Sequence, residues 1–515
     1  MDGAKDIIAL MQKPSAEDTA LVTKAYDFAA NAHKDHKRMS GEPYLIHLVE
    51  TAKSLAELGM SAKTIAAGLL HDSIEDVGVK AETIEAEFGK EVLFLIEGVT
   101  KLGHLKYHGT ERHRESLRKL LVATGKDVRV LIIKLMDRLH NMKTLEHVPE
   151  EKRKRIALET LEIYAAIAHR LGMGIVRKEL EDLAFGYAYP QEFAEAQKLL
   201  TEKTKETQER LEQMTTELQK ALAADDIKNV ETNFRVKGLW SLWQKLKRKG
   251  GDVGKVHDIA ALRVIVDTVS DCYRVLGIVN NLWQPLPNKI KDYIAFPKPN
   301  GYQSLHTTVF AGDGGIVEVQ IRTREMHSEA QFGVAAHVIY KERADGEAAR
   351  GRGSSFDWIR SLIPGLGRKK AATNDTEKPG EAELYKRFSS SAPEWLEGLE
   401  ANELDDADFE TAVRSDIFSH RVFVFTPKGD AVDLPAQATP VDFAYAIHSD
   451  LGDHISGAKV NGKMVPLDTA LHNGDIVEIQ TKKNARPKQK WLDFAKTTVA
   501  RRHIRNALEQ EEKTK

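Results

Sequence analysis

Apolar positions recur at helical spacing from Ser15 to about Ala188, beginning with Leu21, Ala25, Phe28, Ala29 and His33, which predicts a succession of amphipathic helices with His33 near a helix end. Over 190–224 a heptad-like stripe follows, formed by Leu200, Thr204, Thr207, Leu211, Met214 and Leu218. Two of its six positions are threonine, so it predicts a connecting helix packed on a neighbouring domain or acting as a spacer, not a free coiled coil. From Asn233 the period falls to two. Phe234 and Val236 alternate with Arg235 and Lys237, and after Gly238 a helix carries Ser241 and Lys245 at i, i+4 on the same polar side. Further strands are expected at Ala260–Val266 and at 315–323, where Val317, Val319 and Ile321 alternate with Glu318, Gln320 and Arg322. A Gly/Pro/Ser/Lys-rich stretch over 363–391 reads as a flexible linker and is followed by an acidic run over 394–410. Val422–Asp430 is then a strand and turn, and Gly474–Ile479 closes a small β-rich domain.

The pattern predicts a multidomain α plus α/β protein. Its expected parts are an all-α domain over 1–188, a helical connector over 189–232 and a mixed-sheet α/β domain over 233–342. After them come a linker with a helical and acidic segment over 343–415, a small β domain over 416–481 and a basic helical tail over 482–515. Composition narrows the class. The 75 basic residues nearly balance 77 acidic ones, which excludes a uniformly basic nucleic-acid coat, and no apolar run approaches a membrane span of roughly 18 residues. A single cysteine, Cys272, cannot form an internal disulfide, and the N-terminus lacks a basic region followed by an apolar segment, so a cytoplasmic protein without membrane contact is expected. Charge is instead local. Between Lys482 and Arg505 nine basic residues face one acid, a balance suited to RNA phosphate.

The densest chemistry is His71-Asp72-Ser73-Ile74-Glu75-Asp76, directly behind the apolar run Ala66–Leu70. Continued as a helix, the segment would put Glu75 roughly 40° from His71 and Asp76 roughly 40° from Asp72, all on one side. Most such runs are solvated helix faces. Two other segments supply what a divalent ion needs beyond this one: His47, behind Arg38-Met39-Ser40-Gly41-Glu42-Pro43-Tyr44, and Asp137, behind the apolar run Val128–Met136. The set His47, His71, Asp72 and Asp137 mixes imidazole with carboxylate and suits Mn²⁺, Fe or Zn²⁺ better than Ca²⁺, with Mn²⁺ the first choice. Glu75 and Asp76 are then the adjacent acid/base carboxylates, and Arg38 is a cation in a Ser-Gly loop placed to meet phosphate or stack on a base.

This H…HD…D arrangement with its following E-D resembles the HD phosphohydrolases, and among them the hydrolase half of the Rel/Spo alarmone enzymes, over about Ala16 to Arg505. The resemblance implies metal-dependent removal of 3′-pyrophosphate from guanosine tetra- or pentaphosphate, (p)ppGpp, with Arg38 and Asn141 lining the nucleotide pocket. Leu48 departs from the proline expected after the ligand histidine.

The segment Lys289–Thr308 is rich in cations around Lys298-Pro299-Asn300-Gly301-Tyr302-Gln303-Ser304-Leu305-His306-Thr307. It reads as a proline-stiffened loop presenting Tyr302 as a purine platform, Asn300 and His306 as polar contacts and its lysines to phosphates. The Gly250–Lys255 stretch fails as a Walker motif because it lacks the first glycine at the right distance and Ser/Thr after Lys255. The loop resembles the K-P-N-x-Y-Q-S-x-H-T motif of Rel/Spo synthetases, which have a nucleotidyltransferase-like fold. That implies GDP or GTP at Lys289, Lys291, Lys298, Asn300, Tyr302, Gln303 and His306, and ATP at Arg235, Lys237, Ser241, Lys245 and Arg263. It also implies Mg²⁺ at Asp258 and Glu318, with Glu318 the candidate base for the acceptor 3′-hydroxyl. Lys289-Ile290-Lys291-Asp292 matches the basic R-x-K-D of bifunctional members, with lysine for arginine, and Val338 stands where the family has tryptophan.

The small β domain resembles a TGS domain, a β-grasp fold, and His448 matches a histidine that contacts uncharged tRNA in ribosome-bound members. The chain stops before the regulatory modules of long members, as a shortened form or a piece of a longer protein would. The expectation is a bifunctional (p)ppGpp synthetase/hydrolase, against an HD phosphohydrolase with a nucleotide-sensing central domain or a TGS-bearing RNA-binding regulator.

Overall fold

A computed structural model describes residues 3–103, 127–252, 259–287, 289–298, 300–312, 315–336, 421–427, 431–472, 474–482 and 484–514. The chain divides into two compact units, one of residues 1–104 and 126–355 and one of residues 105–125 and 356–515.

The first unit begins with helices α1 (Gly3–Leu10), α2 (Ala16–Ala32), α3 (Leu45–Glu57), α4 (Ala62–Leu70), α5 (Ala81–Phe88), α6 (Lys90–Gly103) and α7 (Val128–Lys143). A reciprocal box of Ser15 and Asp18 caps α2, and Asp127 caps α7 by accepting from the Arg129 amide. Every residue of α4 except Lys63 is buried, which fixes its last residue, and so His71 behind it, inside the bundle. The helical continuation expected through Asp76 does not form. The helix ends at Leu70, and residues 71–77 are turns closed by the Asp76 amide on the Asp72 carbonyl (2.9 Å) and the Val79 amide on the Ser73 carbonyl (3.1 Å). Short polar residues such as Asp72, Ser73 and Asp76 have low helix propensity, and Gly78 at φ +73° redirects the chain. A helical wheel therefore does not describe how these carboxylates are arranged.

After α8 (Glu150–Glu159), a π-helical turn (Thr160–Tyr164) and α9 (Ala165–Arg170), helix α10 (Gly174–Ala188) leads into α11 (Pro190–Ala224). The stripe of α11 is used unequally. Leu211, Met214, Leu218 and Leu222 are buried in the core of the following sheet, whereas the Thr207 hydroxyl bonds back to the Lys203 carbonyl. That sheet contains β1 (Glu231–Val236), β2 (Ala260–Val266), β3 (Lys291–Asp292), β4 (Leu305–Phe310) and β5 (Ile316–Thr323) in the order β1-β2-β5-β4-β3. Only β2 and β5 run parallel. Leu262, Val264, Val317, Val319, Ile321, Leu305 and Val309 form its core face with α13 (Val269–Leu282), which follows α12 (Leu239–Arg248) and β2. The register sets Asn233, Arg263, Gln320, His306 and Lys291 opposite one another across all five strands, so alternation puts a polar row on the other face. Helix α14 (Arg324–Phe332) completes the unit.

The second unit has β6 (Arg421–Phe425) paired with β7 (Ala431–Pro435), then α15 (Pro440–Ile447), the short α16 (Ser449–Asp453), and β8 (Ile455–Val460) between β9 (Lys463–Val465) and β10 (Val477–Thr481). Asn461 at φ 51° and Gly462 at φ 79° make the tight β8–β9 hairpin turn. The basic segment folds onto α15. Trp491, Ala495 and, from helix α17 (Thr498–Thr514), Ala500 and Ile504 share a core with Val441, Ala444, Tyr445 and Ile455. Asp442, fully buried, fastens this arrangement. It accepts from Thr439 N (2.8 Å) and Oγ1 (2.9 Å), Lys496 N (2.8 Å), Thr497 N (2.7 Å) and Thr497 Oγ1 (3.0 Å). Asp442→Ala strands those donors at about 1–3 kcal/mol each where water does not reach them. Limited proteolysis of this variant should cut within 482–497 faster than in the parent chain; equal rates would mean that the apolar core alone holds the segment.

Candidate active sites

The first site is held by α3, the end of α4 and α7. His47, His71 and Asp137 are buried and present one donor atom each within 4.8 Å of the others. Asp137 Oδ1 lies 3.3 Å from His47 Nε2 and 3.9 Å from His71 Nε2, and Asp72 Oδ2 lies 3.8 and 3.0 Å from the same two nitrogens. Neighbours fix the imidazole tautomers. His71 Nδ1 is 2.8 Å from the Gly68 carbonyl, which only accepts, so Nδ1 carries the hydrogen and the buried Nε2, which makes no hydrogen bond, keeps its lone pair for the cluster. Arg38 Nη1 donates to His140 Nδ1 (2.9 Å), so His47 Nδ1, 2.8 Å from that same atom, must also donate, and its Nε2 is likewise left as a ligand atom. Burial, followed by His47 and Arg38, pushes the His140 pKa down to about 3, consistent with a neutral acceptor.

The carboxylates are fixed too. Tyr44 Oη donates to Asp72 Oδ2 (2.7 Å), Lys134 Nζ pairs with Asp137 Oδ2 (2.7 Å), and Asn141 Nδ2 donates to Asp137 Oδ1 (2.6 Å). Burial opposes ionisation of Asp72, but His71 draws its pKa well below the usual carboxylate range; conversely, burial opposes charge on His71, yet Asp72 and Asp137 push it up to about 9. Two ionised carboxylates here draw a proton onto an imidazole unless another cation neutralises them. Two lone-pair nitrogens, one of them the buried His71 Nε2, and two carboxylates fit a divalent cation. Glu75 and Asp76 are exposed on the turn beside the cluster, and Arg38 Nη2 donates to Asn141 Oδ1 (2.6 Å) at its rim. Leu48 is fully buried in α3.

The second site is the polar face of the sheet. Tyr302 Oη and His306 Nε2 are 2.9 Å apart, and His306 Nδ1 is 2.6 Å from Glu318 Oε1. The carboxylate takes the Nδ1 hydrogen, so Nε2 accepts from the tyrosine. Burial holds the His306 pKa below its ordinary value despite Glu318. Gln320 joins Glu318 to β1, donating to Glu318 Oε1 (3.4 Å) and accepting from Arg235 Nη1 (3.3 Å). Lys298 Nζ lies 4.5 and 4.8 Å from the ring centres of Tyr293 and Tyr302, and burial together with Arg235 and Lys291 pushes its pKa down to about 8. Burial and then Arg235 lower Arg263, and burial pushes Arg322 down to about 10, with Arg263 and Arg235 adding to it. Crowding of three guanidiniums on one sheet face is a field for a polyanion.

Other expected residues are placed differently. Gln303 Nε2 donates to the Ile294 carbonyl (3.3 Å), so its amide supports the loop. Ser241 Oγ donates to Glu181 of α10 (3.3 Å), Lys237 and Lys245 flank it on β1's end and α12, and Lys289 and Lys291 are exposed. Asp258 and Val338 lie outside the described residues, as do the linker and acidic run. In the second unit His448 is exposed and its Nδ1 accepts from the Asp450 amide (3.2 Å) at the start of α16. The sequence reading passed over Tyr44, Lys134, His140, Gln320 and Arg322. A signal existed for two of them, because Lys134 and His140 flank Asp137 at three-residue spacing on one helix face.

Three family models match the chain: HD domain over residues 25–174, Region found in RelA / SpoT proteins over 234–345, and TGS domain over 422–481. A guanosine-3′,5′-bis(diphosphate) 3′-pyrophosphohydrolase of Aquifex aeolicus is 44% identical over 493 residues, covering 96% of this chain and 65% of that protein. A GTP pyrophosphokinase of Myxococcus xanthus is 42% identical over 503 residues (97% of this chain, 61% of that protein), and one of Streptomyces coelicolor is 44% identical over 510 residues (96% and 56%). The chain thus spans 56–65% of the length of these relatives. Among the described residues no helix is long and apolar enough to cross a membrane.

Proposed function

The chain belongs to the Rel/Spo family, and on that premise we propose that it is a bifunctional alarmone enzyme that both makes and degrades (p)ppGpp. The observation that carries this reading is the presence, in one compact unit, of two separate centres of different chemistry: a buried His/Asp cluster and a cationic sheet face with a tyrosine–histidine–glutamate line.

The HD domain implies a divalent metal, which His47, His71, Asp72 and Asp137 would hold, and Mn²⁺ suits that donor set. When bound, such an ion makes a coordinated water acidic enough to attack phosphorus near neutral pH. Tyr44, Lys134 and Asn141 aim the two carboxylates, Glu75 and Asp76 handle protons at the mouth, and Arg38 with Asn141 positions the nucleotide. The products are GDP or GTP and pyrophosphate.

In the sheet cleft, the 3′-hydroxyl of GDP or GTP attacks the β-phosphorus of ATP; the α–β P–O bond breaks and AMP leaves. Tyr302 carries the guanine, Lys298, Asn300 and His306 contact the acceptor, and Arg235, Lys237, Lys245 and Arg263 take the ATP phosphates. Glu318 accepts the hydroxyl proton, and Glu318 with Asp258 would hold a Mg²⁺ ion, which would neutralise charge on the transferring phosphates. The exposed His448 and the basic segment packed on α15 are assigned to uncharged tRNA on the ribosome.

Assaying the purified chain with Mn²⁺ and with Mg²⁺ tests this directly. ATP plus GDP should give AMP and ppGpp, and ppGpp alone should give pyrophosphate. Hydrolysis without any AMP formation would reduce the central domain to a nucleotide sensor.

A further inference from the structure

We propose that Arg177, which is carried by the hydrolase-side helix α10, completes the synthetase cleft by gripping the 5′-phosphate chain of the guanine nucleotide. This rests on the reading of the sheet cleft as the synthetase site.

The start of α10 is pressed against the loop that presents Tyr302. Asn300 Nδ2 donates to the His169 carbonyl (3.2 Å), the Val334 amide donates to the Leu171 carbonyl (2.8 Å), and a Cβ added at Gly172 would lie 3.0 Å from the Asn300 carbonyl oxygen. At Gly174 an added Cβ would run into the Ala330 carbonyl of α14. Arg177 follows within the first turn of α10. Its Nε donates to Glu181 Oε1 (2.7 Å) and its Nη1 to His169 Nδ1 (2.9 Å). The other oxygen of Glu181 accepts from Ser241 Oγ (3.3 Å). One line of hydrogen bonds therefore runs from Asn300 in the guanine loop, through His169, Arg177 and Glu181, to Ser241 on the ATP side.

Arg177 is suited to an anionic ligand for three reasons. A guanidinium has five N–H donors, and two are engaged among the described residues, which leaves the Nη2 pair and one Nη1 hydrogen to form a fork for phosphate oxygens. Its side chain is 32% exposed whereas that of Glu181 is 9%, so the carboxylate forms the floor and the cation faces the opening. Arg177 also shares the electrostatic surroundings of Lys298 with Arg235 and Lys291, the cations of the cleft. Burial raises the Glu181 pKa, which Arg177 and its hydrogen bond oppose. As a point of contact on the acceptor, the guanidinium reads phosphate and not the base.

The test measures binding of GDP and of guanosine to the whole chain, counting the part that Tyr302→Ala abolishes. In Arg177→Ala the affinity for GDP should fall about tenfold while that for guanosine stays at the parent value, and Arg177→Lys should recover part of the loss. Glu181→Gln, which frees the guanidinium without removing it, should bind GDP at least as tightly as the parent. Equal GDP affinity in Arg177→Ala overturns the proposal, as does a matching loss for GDP and guanosine, which would make Arg177 a prop for the loop. If the parent shows no Tyr302-dependent GDP binding, it is the assignment of the cleft that fails.

Discussion

His71→Ala should abolish metal binding and pyrophosphate release from ppGpp together, while the proposed AMP formation from ATP and GDP should continue. The imidazole supplies a buried Nε2, 3.0 Å from Asp72 and 3.9 Å from Asp137, and its tautomer is already fixed by Gly68. Loss of partners that merely orient a ligand costs roughly 10- to 100-fold in metal affinity or activity, so loss of a ligand itself should cost no less. Asp72→Ala separates this from damage to the core, because the Asp72 side chain is 18% exposed and lies on a turn outside α4. It should reproduce the loss of bound Mn²⁺ and of hydrolysis. Glu75→Gln, on the exposed side of the same turn, should keep the metal and lose rate. Full metal content with persisting hydrolysis in Asp72→Ala would remove Asp72 from the ligand set.

The way these residues converge shows where reading the chain works and where it stops. The strand alternation of 316–323 is legible because Val317, Val319 and Ile321 are apolar and buried, whereas 231–236 buries no residue and 260–266 is buried on both faces apart from Arg263; the register then delivers Arg263, Gln320 and His306 to a common row. The helical wheel through His71–Asp76 fails for the opposite reason. The helix α4 ends at Leu70, the chain continues in turns up to Gly78, and tertiary contacts, not helical spacing, bring Asp72 to His47. Orientation within the sites is invisible to sequence. Nothing in the chain order indicates that His140 fixes the tautomer of His47 from 93 residues away, or that Ser241 would be engaged by Glu181. The stripe on α11 shows both behaviours. Leu211, Met214 and Leu218 are buried in the sheet core, as their composition suggests, and the Thr207 hydroxyl is spent on a backbone bond.

Tyr302→Ala should lower synthesis by about tenfold or more and leave hydrolysis at the parent rate. A purine stacked on an aromatic ring gains about 1 to 3 kcal/mol, which translates to roughly 5- to 150-fold in the stability of the bound state. The same residue has a second tie to the chemistry, because its hydroxyl bonds His306 Nε2 at 2.9 Å and His306 Nδ1 bonds Glu318 at 2.6 Å. Removing the whole side chain therefore takes away the platform and loosens the imidazole that orients the proposed base. Tyr302→Phe distinguishes these contributions. It keeps the ring, so the KM for GDP should stay near that of the parent. It removes the partner of His306, so kcat should fall if the Tyr302–His306–Glu318 line helps to hold the carboxylate in place. Hydrolysis is the internal control for both variants, since Tyr302 lies on the sheet cleft and the His/Asp cluster is built on α3, α4 and α7. A Tyr302→Ala chain that makes ppGpp at the parent rate would show that guanine is carried elsewhere, and one that loses both activities would show that the tyrosine supports the unit as a whole.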